Sequence, residues 1–158
     1  MARSSDRPGP FLASSHLSGL LVLTARLVQE QVAIRLSPLG ISYAQAAVLV
    51  CLYRSATGVL PQSDLIESLA VSRASGTLVL TQLQALGLIG RTPDPGDARR
   101  LVIRLTDAGR DLELPVHGAF EEVESVIRRS LHPAEVAAAF DTTRRMLVDV
   151  RRHRRSRT

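Results

Sequence analysis

The sequence predicts a mainly α-helical, α+β chain with one small β-hairpin. Three observations predict it. Apolar residues recur at helical spacing in long segments at both ends, 11–36 and 107–150. Two short helical patterns, Asp64–Leu69 and Ala74–Leu86, lie in the middle, hinged at Ala70–Ser72. Strand-like runs are confined to Leu88–Thr92 and Leu101–Leu105, with a polar, arginine-bearing segment between them. Helix, turn, helix and then a hairpin tipped with arginines is a shape suited to double-stranded DNA.

Composition narrows the class. A length of 158 residues and an apolar content of 45% suit one ordinary domain with extensions. Aromatic content is 3% and Trp is absent, which argues against stacking platforms for single strands. The net charge of +5 comes from the end of the chain, because Arg151–Arg157 holds five Arg and no acid. Upstream of it acids and bases balance, so a DNA footprint must come from local clustering. The basic tail, 151–158, reads either as a phosphate contact or as a frayed solvated end. A single cysteine, Cys51, excludes an internal disulfide framework. No uninterrupted apolar run reaches the roughly 18 residues of a membrane span, and Ser14–Leu23 lacks the flanks of a signal peptide. The expectation is a soluble cytoplasmic protein with no membrane partner.

Residues 1–10 are polar with two prolines and read as an irregular lead-in. The helix expected over 11–36 carries Leu17, Leu20, Leu21, Leu27 and Val28, widened by Leu23, Val32, Ile34 and Leu36. So apolar a helix has more than one surface to bury, one in its own domain and one against a partner chain. Ser37-Pro38-Leu39-Gly40 ends it. Ser42 with Gln45 is a capping box for the next helix, which includes Cys51, read as buried and inert. Pro61 stands at or before the first turn of the third helix, with Asp64 favourable to its dipole.

Ser72 caps the fourth helix, whose apolar side is Val79, Leu83 and Leu86 with Leu80 beside them. Its other side presents Arg73, Ser75, Thr77, Leu78, Thr81 and Gln82, the candidates for the major groove. Gly76 costs helix propensity and allows close approach to the preceding helix or to DNA. The loop expected over residues 93–100 is too long for a minimal turn. Asp97, Arg99 and Arg100 stand at its tip as minor-groove candidates, with Asp97 pairing one arginine in a fork. Ser72, Arg91 and Arg104 are candidates for phosphate contact. Thr106 caps a helix running from 107 to about 130, and Pro115 either bends it or sits where the lost bond is tolerated. His132-Pro133-Ala134-Glu135 starts the last helix, with Val136, Phe140, Met146, Leu147 and Val150 as its apolar content.

Taken in order, Ser63-Asp64-Leu65, Val71-Ser72-Arg73, Leu83–Ile89, Asp94–Arg100 and Leu105–Gly109 make the chain resemble the MarR family of winged helix-turn-helix transcriptional regulators. The resemblance runs over roughly residues 10–150. It implies dimerisation helices at 11–36 and 107–150 around a DNA-binding domain at 37–106. It further implies a homodimer whose fourth helix enters the major groove and whose wing arginine, Arg99 or Arg100, reaches the minor groove. Many such proteins are repressors released by small aromatic ligands. The implied ligand pocket would draw on His16, Tyr43, Tyr53 and His117. Gly76 and Leu78 depart from the family's usual bulky apolar and polar residues. The absence of cysteine from Phe11–Leu23 removes the family's peroxide-sensing position.

No metal-ligand spacing, cofactor motif or nucleophile–base pair stands out, so neither metal, cofactor nor enzyme activity is expected. The competing reading is a winged-helix interaction module without specific DNA binding, motivated by the uncharged stretch from Ala74 to Gly90.

Overall fold

The computed structural model describes residues 16–156, apart from the side chains of Arg154 and Arg155. The expected lead-in at 1–10, the helical start at 11–15 and the last two tail residues lie outside them. Two compact units divide at Phe120/Glu121.

In the first unit, α1 (Leu17–Leu36) ends in a short 3-10 turn closed by left-handed Gly40. Val32 and Leu36 are buried, whereas Leu17, Leu20, Leu21, Leu27 and Ile34 are exposed on this chain. Leu17–Leu39 is also long and apolar enough to cross a membrane by length and composition, at mean hydropathy 1.3. Counting uninterrupted apolar residues overlooked this, because Arg26, Glu30 and Arg35 punctuate a strongly apolar average.

Helix α2 (Tyr43–Tyr53) opens with the expected capping box. The Gln45 N–H donates to Ser42 Oγ at 3.3 Å, and the Ser42 N–H donates to Gln45 Oε1 at 2.7 Å. Cys51 is half-buried rather than buried, with its sulfur 3.5 Å from the Ser68 hydroxyl.

Pro61 ends a strand that the sequence did not reveal, β1 (Val59–Pro61), and serves as N-cap of α3 (Gln62–Ser68). Ala70, at φ +55°, turns the chain into α4 (Arg73–Ala85), capped by Ser72 through the Ser75 N–H at 3.1 Å. The buried stripe of α4 is Gly76, Leu80 and Leu83. Val79 is only half-buried, and Leu86, expected inside, is 50% exposed as the C-cap. An added Cβ at Gly76 would lie 2.8 Å from Cγ2 of Ile66, so the close approach is to the preceding helix.

The sheet has the order β1-β3-β2, with β2 (Ile89–Asp94) and β3 (Asp97–Leu105) antiparallel. Pairing continues out to Asp94↔Asp97, so the hairpin turns through Pro95-Gly96 alone. The expected loop over 93–100 is therefore mostly strand. Wing strands project into solvent and satisfy their backbone in the ladder without apolar alternation, which is why polar residues there looked like loop. Asp94 Oδ1 accepts from the Gly96 N–H at 2.8 Å and tightens the turn.

Thr106 Oγ1 accepts from the Gly109 N–H at 3.0 Å and donates to the Gly87 carbonyl at 2.7 Å. The single helix expected after it is two, α5 (Asp107–Asp111) and α6 (Glu113–Arg128). Pro115 has no N–H to give the Asp111 carbonyl, so the ladder breaks at Leu112 and Pro115 lies in the first turn of α6. The core of this unit includes Leu36, Leu49, Leu52, Leu65, Leu80, Leu83, Ile103 and Val116.

The second unit holds the end of α6 and α7 (Pro133–Arg155), started by Pro133 and by Glu135, whose Oε2 accepts from the His132 N–H at 2.6 Å. Helix α7 continues past Val150 to Arg155, so most of the expected basic tail is helical. Basic residues there suit the negative end of a helix dipole. Phe140, Leu147 and Val150 are exposed.

Gly76→Ala adds helix propensity worth about 1 kcal/mol but forces a methyl into branched Ile66. Overpacking of this kind costs roughly 1–3 kcal/mol, so the variant is expected to be less stable. Urea unfolding reads the outcome as a lower midpoint; an equal or higher midpoint would show that α3 and α4 separate freely.

Candidate nucleic-acid interface

The outward face of α4 follows from its inward one. With Gly76, Leu80 and Leu83 buried, Ser75, Leu78, Thr81 and Gln82 fall on the exposed side. Leu78 is 57% exposed, an apolar contact surface among polar neighbours. Arg73 is exposed and Thr77 half-buried, and both sit on the flank of α4 that faces the wing. There a cleft of about 340 Å³ brings together Gln62, Ser63, Arg73, Thr77, Arg99 and Arg100. Three guanidinium groups thus border one cleft, which supplies the local positive charge that the balanced overall composition requires.

Strand alternation sorts only the regular part of β3: Ile103 and Leu105 fall on one face, and Val102 and Arg104 on the other. The register shift opposite Pro93/Asp94 takes Arg99 and Arg100 out of that alternation, and both border the cleft. Arg99, Arg100 and Arg104 are exposed. Arg99 and Arg100 stand within β3 rather than at the tip, which is Pro95-Gly96. Asp97 does not form the expected fork with an arginine side chain; its Oδ1 accepts from the Arg99 backbone N–H at 3.0 Å. That amide is two residues along the chain, within local reach of the short carboxylate side chain.

Arg91 also departs from expectation. It pairs with Ile103 in the ladder and so points to the helical side of the sheet. Its Nη2 donates to Thr81 Oγ1 at 3.1 Å and to the Thr77 carbonyl at 3.4 Å, while its Nε is buried without a hydrogen-bond partner. Arg91 therefore ties the wing to α4. The Thr81 hydroxyl itself donates to the Thr77 carbonyl at 2.9 Å, so its proton is spent within the helix. Ser72 likewise has its hydroxyl engaged, accepting from the Ser75 N–H and lying 2.8 Å from Ser75 Oγ. Gln82 is exposed, yet its Oε1 accepts from Gln45 Nε2 at 3.4 Å. Gln62, which lines the cleft, and the buried Gln45, which holds Gln82 from behind, are not legible as site residues in the sequence; the capping box marks Gln45 only as a helix start.

Of the four residues expected to form a ligand pocket, two come together directly. The rings of Tyr53 and His117 are 5.9 Å apart, and Tyr53 Oη donates to the Gly109 carbonyl at 2.7 Å. Burial, followed by the nearby Glu113 carboxylate, pushes the Tyr53 phenol up to about 12. Tyr43 instead meets Phe120, at 5.8 Å between ring centroids. His16 is the exposed N-cap of α1, with no side-chain capping bond. Phe120 and Glu113 are the neighbours that sequence reading missed, because they reach α2 only through the fold. No cluster of three or more metal-ligating side chains occurs among the described residues.

A helix-turn-helix followed by an arginine-bearing antiparallel wing defines a winged helix-turn-helix protein. Residues 39–100 match the MarR family profile. An HTH-type transcriptional regulator of Bacillus subtilis, YdgJ, is 33% identical over 111 residues, covering 70% of this chain and 62% of that protein. The chain thus spans about three fifths of that relative's length. The Staphylococcus aureus MepR–DNA complex superposes with TM-score 0.77 at 25% identity, over 85% of this chain and 98% of that one. Bordetella bronchiseptica BpsR, whose DNA binding is regulated by 6-hydroxynicotinic acid, superposes with TM-score 0.75 at 25% identity, over 87% and 97% of the two chains. Over these spans the chain is similar to regulators of the MarR family.

Tyr53 keeps its proton in the folded chain to higher pH than in the unfolded one. Its stabilising contribution is complete below pH 10 and is lost as pH rises towards about 12. Absorbance titration is expected to show a phenol step near pH 12 that Tyr53→Phe removes. A wild-type titration complete by pH 11 would contradict the buried environment.

Proposed function

We propose that the chain is a sequence-specific, double-stranded DNA-binding transcriptional regulator, acting as a homodimeric repressor that a small aromatic ligand releases. One observation carries the reading: the exposed strip Ser75–Leu78–Gln82 of α4 lies beside a cleft bordered by Arg73, Arg99 and Arg100. A helix face without charge at its centre and guanidinium groups at its flank divides the work between base edges and phosphates. MepR in complex with DNA supports the partner, and BpsR supports regulation by a small aromatic acid. Such a regulator works by occupancy, and its location is the cytoplasm.

Two features support the dimer. Helix α1 exposes Leu17, Leu20, Leu21, Leu27 and Ile34, far more apolar surface than a solvated helix needs. Helix α7 carries Val136, Phe140, Leu147 and Val150, spaced by four, seven and three residues, the heptad spacing of a helix–helix seam. Residues 11–36 and 107–150 are the proposed dimerisation segments, and 37–106 the DNA-binding domain. Tyr43, Tyr53, His117 and His16, the exposed N-cap of α1, are the proposed ligand-pocket residues.

Salt titration of the wild-type protein on a selected duplex is expected to give a steep fall in affinity with ionic strength. Replacing Arg99 and Arg100 together by Ala should weaken binding at least roughly tenfold and lower the salt slope by about two per protomer, about four for the dimer. Unchanged binding would favour the interaction-module alternative. Sedimentation equilibrium should give two chains per particle, and Phe140→Asp with Leu147→Asp should give one; a monomeric wild type would remove the dimer.

A further inference from the structure

Gln82 is an amide on the face proposed to meet base edges, and an amide can read DNA in either of two polarities. Its NH2 donates to guanine O6 or N7 or to thymine O4, and less well to adenine N7 because the adjacent N6 amino group is itself a donor; its carbonyl accepts from cytosine N4 or adenine N6, and using both ends gives the bidentate pair with adenine. Which end is displayed depends on which end is already held. Here a chain of bonds fixes the answer, starting from a group with no ambiguity.

The Ser42 backbone N–H can only donate. It donates to Gln45 at 2.7 Å, so the Gln45 atom facing it is the carbonyl oxygen. The other end of Gln45 is therefore NH2, which can only donate. Gln45 is 7% exposed, so that NH2 is not free to find water, and the acceptor it meets is Gln82 Oε1 at 3.4 Å. The NH2 of Gln82, on an exposed residue, is left as the displayed group.

We propose that Gln45 is a positioning residue that presets Gln82 as a hydrogen-bond donor, making the chain select guanine or thymine at one base position in each half-site. The capping box of α2 thereby has a second role, transmitting the direction of one backbone N–H through two amides to the DNA-facing surface of α4. This inference rests on the DNA-binding reading above.

The test uses the full chain and a randomised duplex pool, with bound fragments sequenced. Wild type should enrich guanine or thymine at one position per half-site. Gln82→Glu, an acceptor only, should shift that position to cytosine or adenine by roughly tenfold. Gln45→Glu keeps the capping box, since Glu also serves at that helix position. Its second oxygen then accepts from the Gln82 NH2 and turns the Gln82 carbonyl outward, so it should shift preference the same way without touching DNA. Gln45→Met, apolar at a buried position, releases both ends of Gln82 and should add adenine. Thermal melting confirms that each variant is folded. If Gln82→Glu shifts the preference but folded Gln45→Glu and Gln45→Met both keep the wild-type site, the relay is overturned. If Gln82→Glu shifts nothing, Gln82 does not read bases and the proposal is overturned. A wild type that enriches no sequence overturns the DNA-binding reading itself, a result distinct from either.

Discussion

The placement of α4 depends on one contact. Gly76 passes so near Ile66 of α3 that a Cβ would lie 2.8 Å from a branched side-chain carbon. Close passage brings Leu80 and Leu83, on the same stripe, into full burial. It also fixes the rotation of α4, because the residue facing α3 is glycine and its neighbours are too large for that place. Everything else about the surface follows from that rotation: which residues face outward, which flank borders the wing, and where Arg91 can reach.

The polar groups near α4 serve two different ends. Arg91, Thr77 and the Thr81 hydroxyl are engaged with one another and hold the helix to the wing, while Gln45 bonds Gln82 and holds it to α2. Arg73, Arg99 and Arg100 border the cleft and keep their charge at the surface. Two guanidinium groups in one sheet ladder differ little in sequence, yet strand alternation sends Arg91 inward, beside Ile103, and leaves Arg104 on the opposite face.

Local signals in the sequence were legible because their physics is local. The caps at Ser42, Ser72, Thr106 and His132–Glu135 each satisfy amides within three residues, and each forms as read. Strand β1 was not legible: three residues including a proline become a strand only by pairing with β3, more than forty positions away. The wing was read too long as loop because a projecting ladder carries no apolar alternation. The exposed surface of Leu86 and the partial exposure of Cys51 depend on how neighbouring elements terminate, which periodicity does not encode. Among site residues, exposure of Ser75, Leu78 and Gln82 followed from helical spacing. The inward turn of Arg91, the Asp97–Arg99 backbone bond and the Gln45–Gln82 pair required the fold.

The division of α4 into an inward stripe of Gly76, Leu80 and Leu83 and an outward strip of Ser75, Leu78 and Gln82 bears on how such a chain diverges. Exposed substitutions away from caps and ties change stability by about 0.5 kcal/mol or less, so Leu78 is open to almost any side chain at constant fold. Thr81 is less free, because its hydroxyl completes the tie to Arg91. Evolutionary drift in what this surface prefers is therefore channelled: one position is nearly unconstrained, the next is anchored by the wing, and the glycine behind them is fixed by its neighbour.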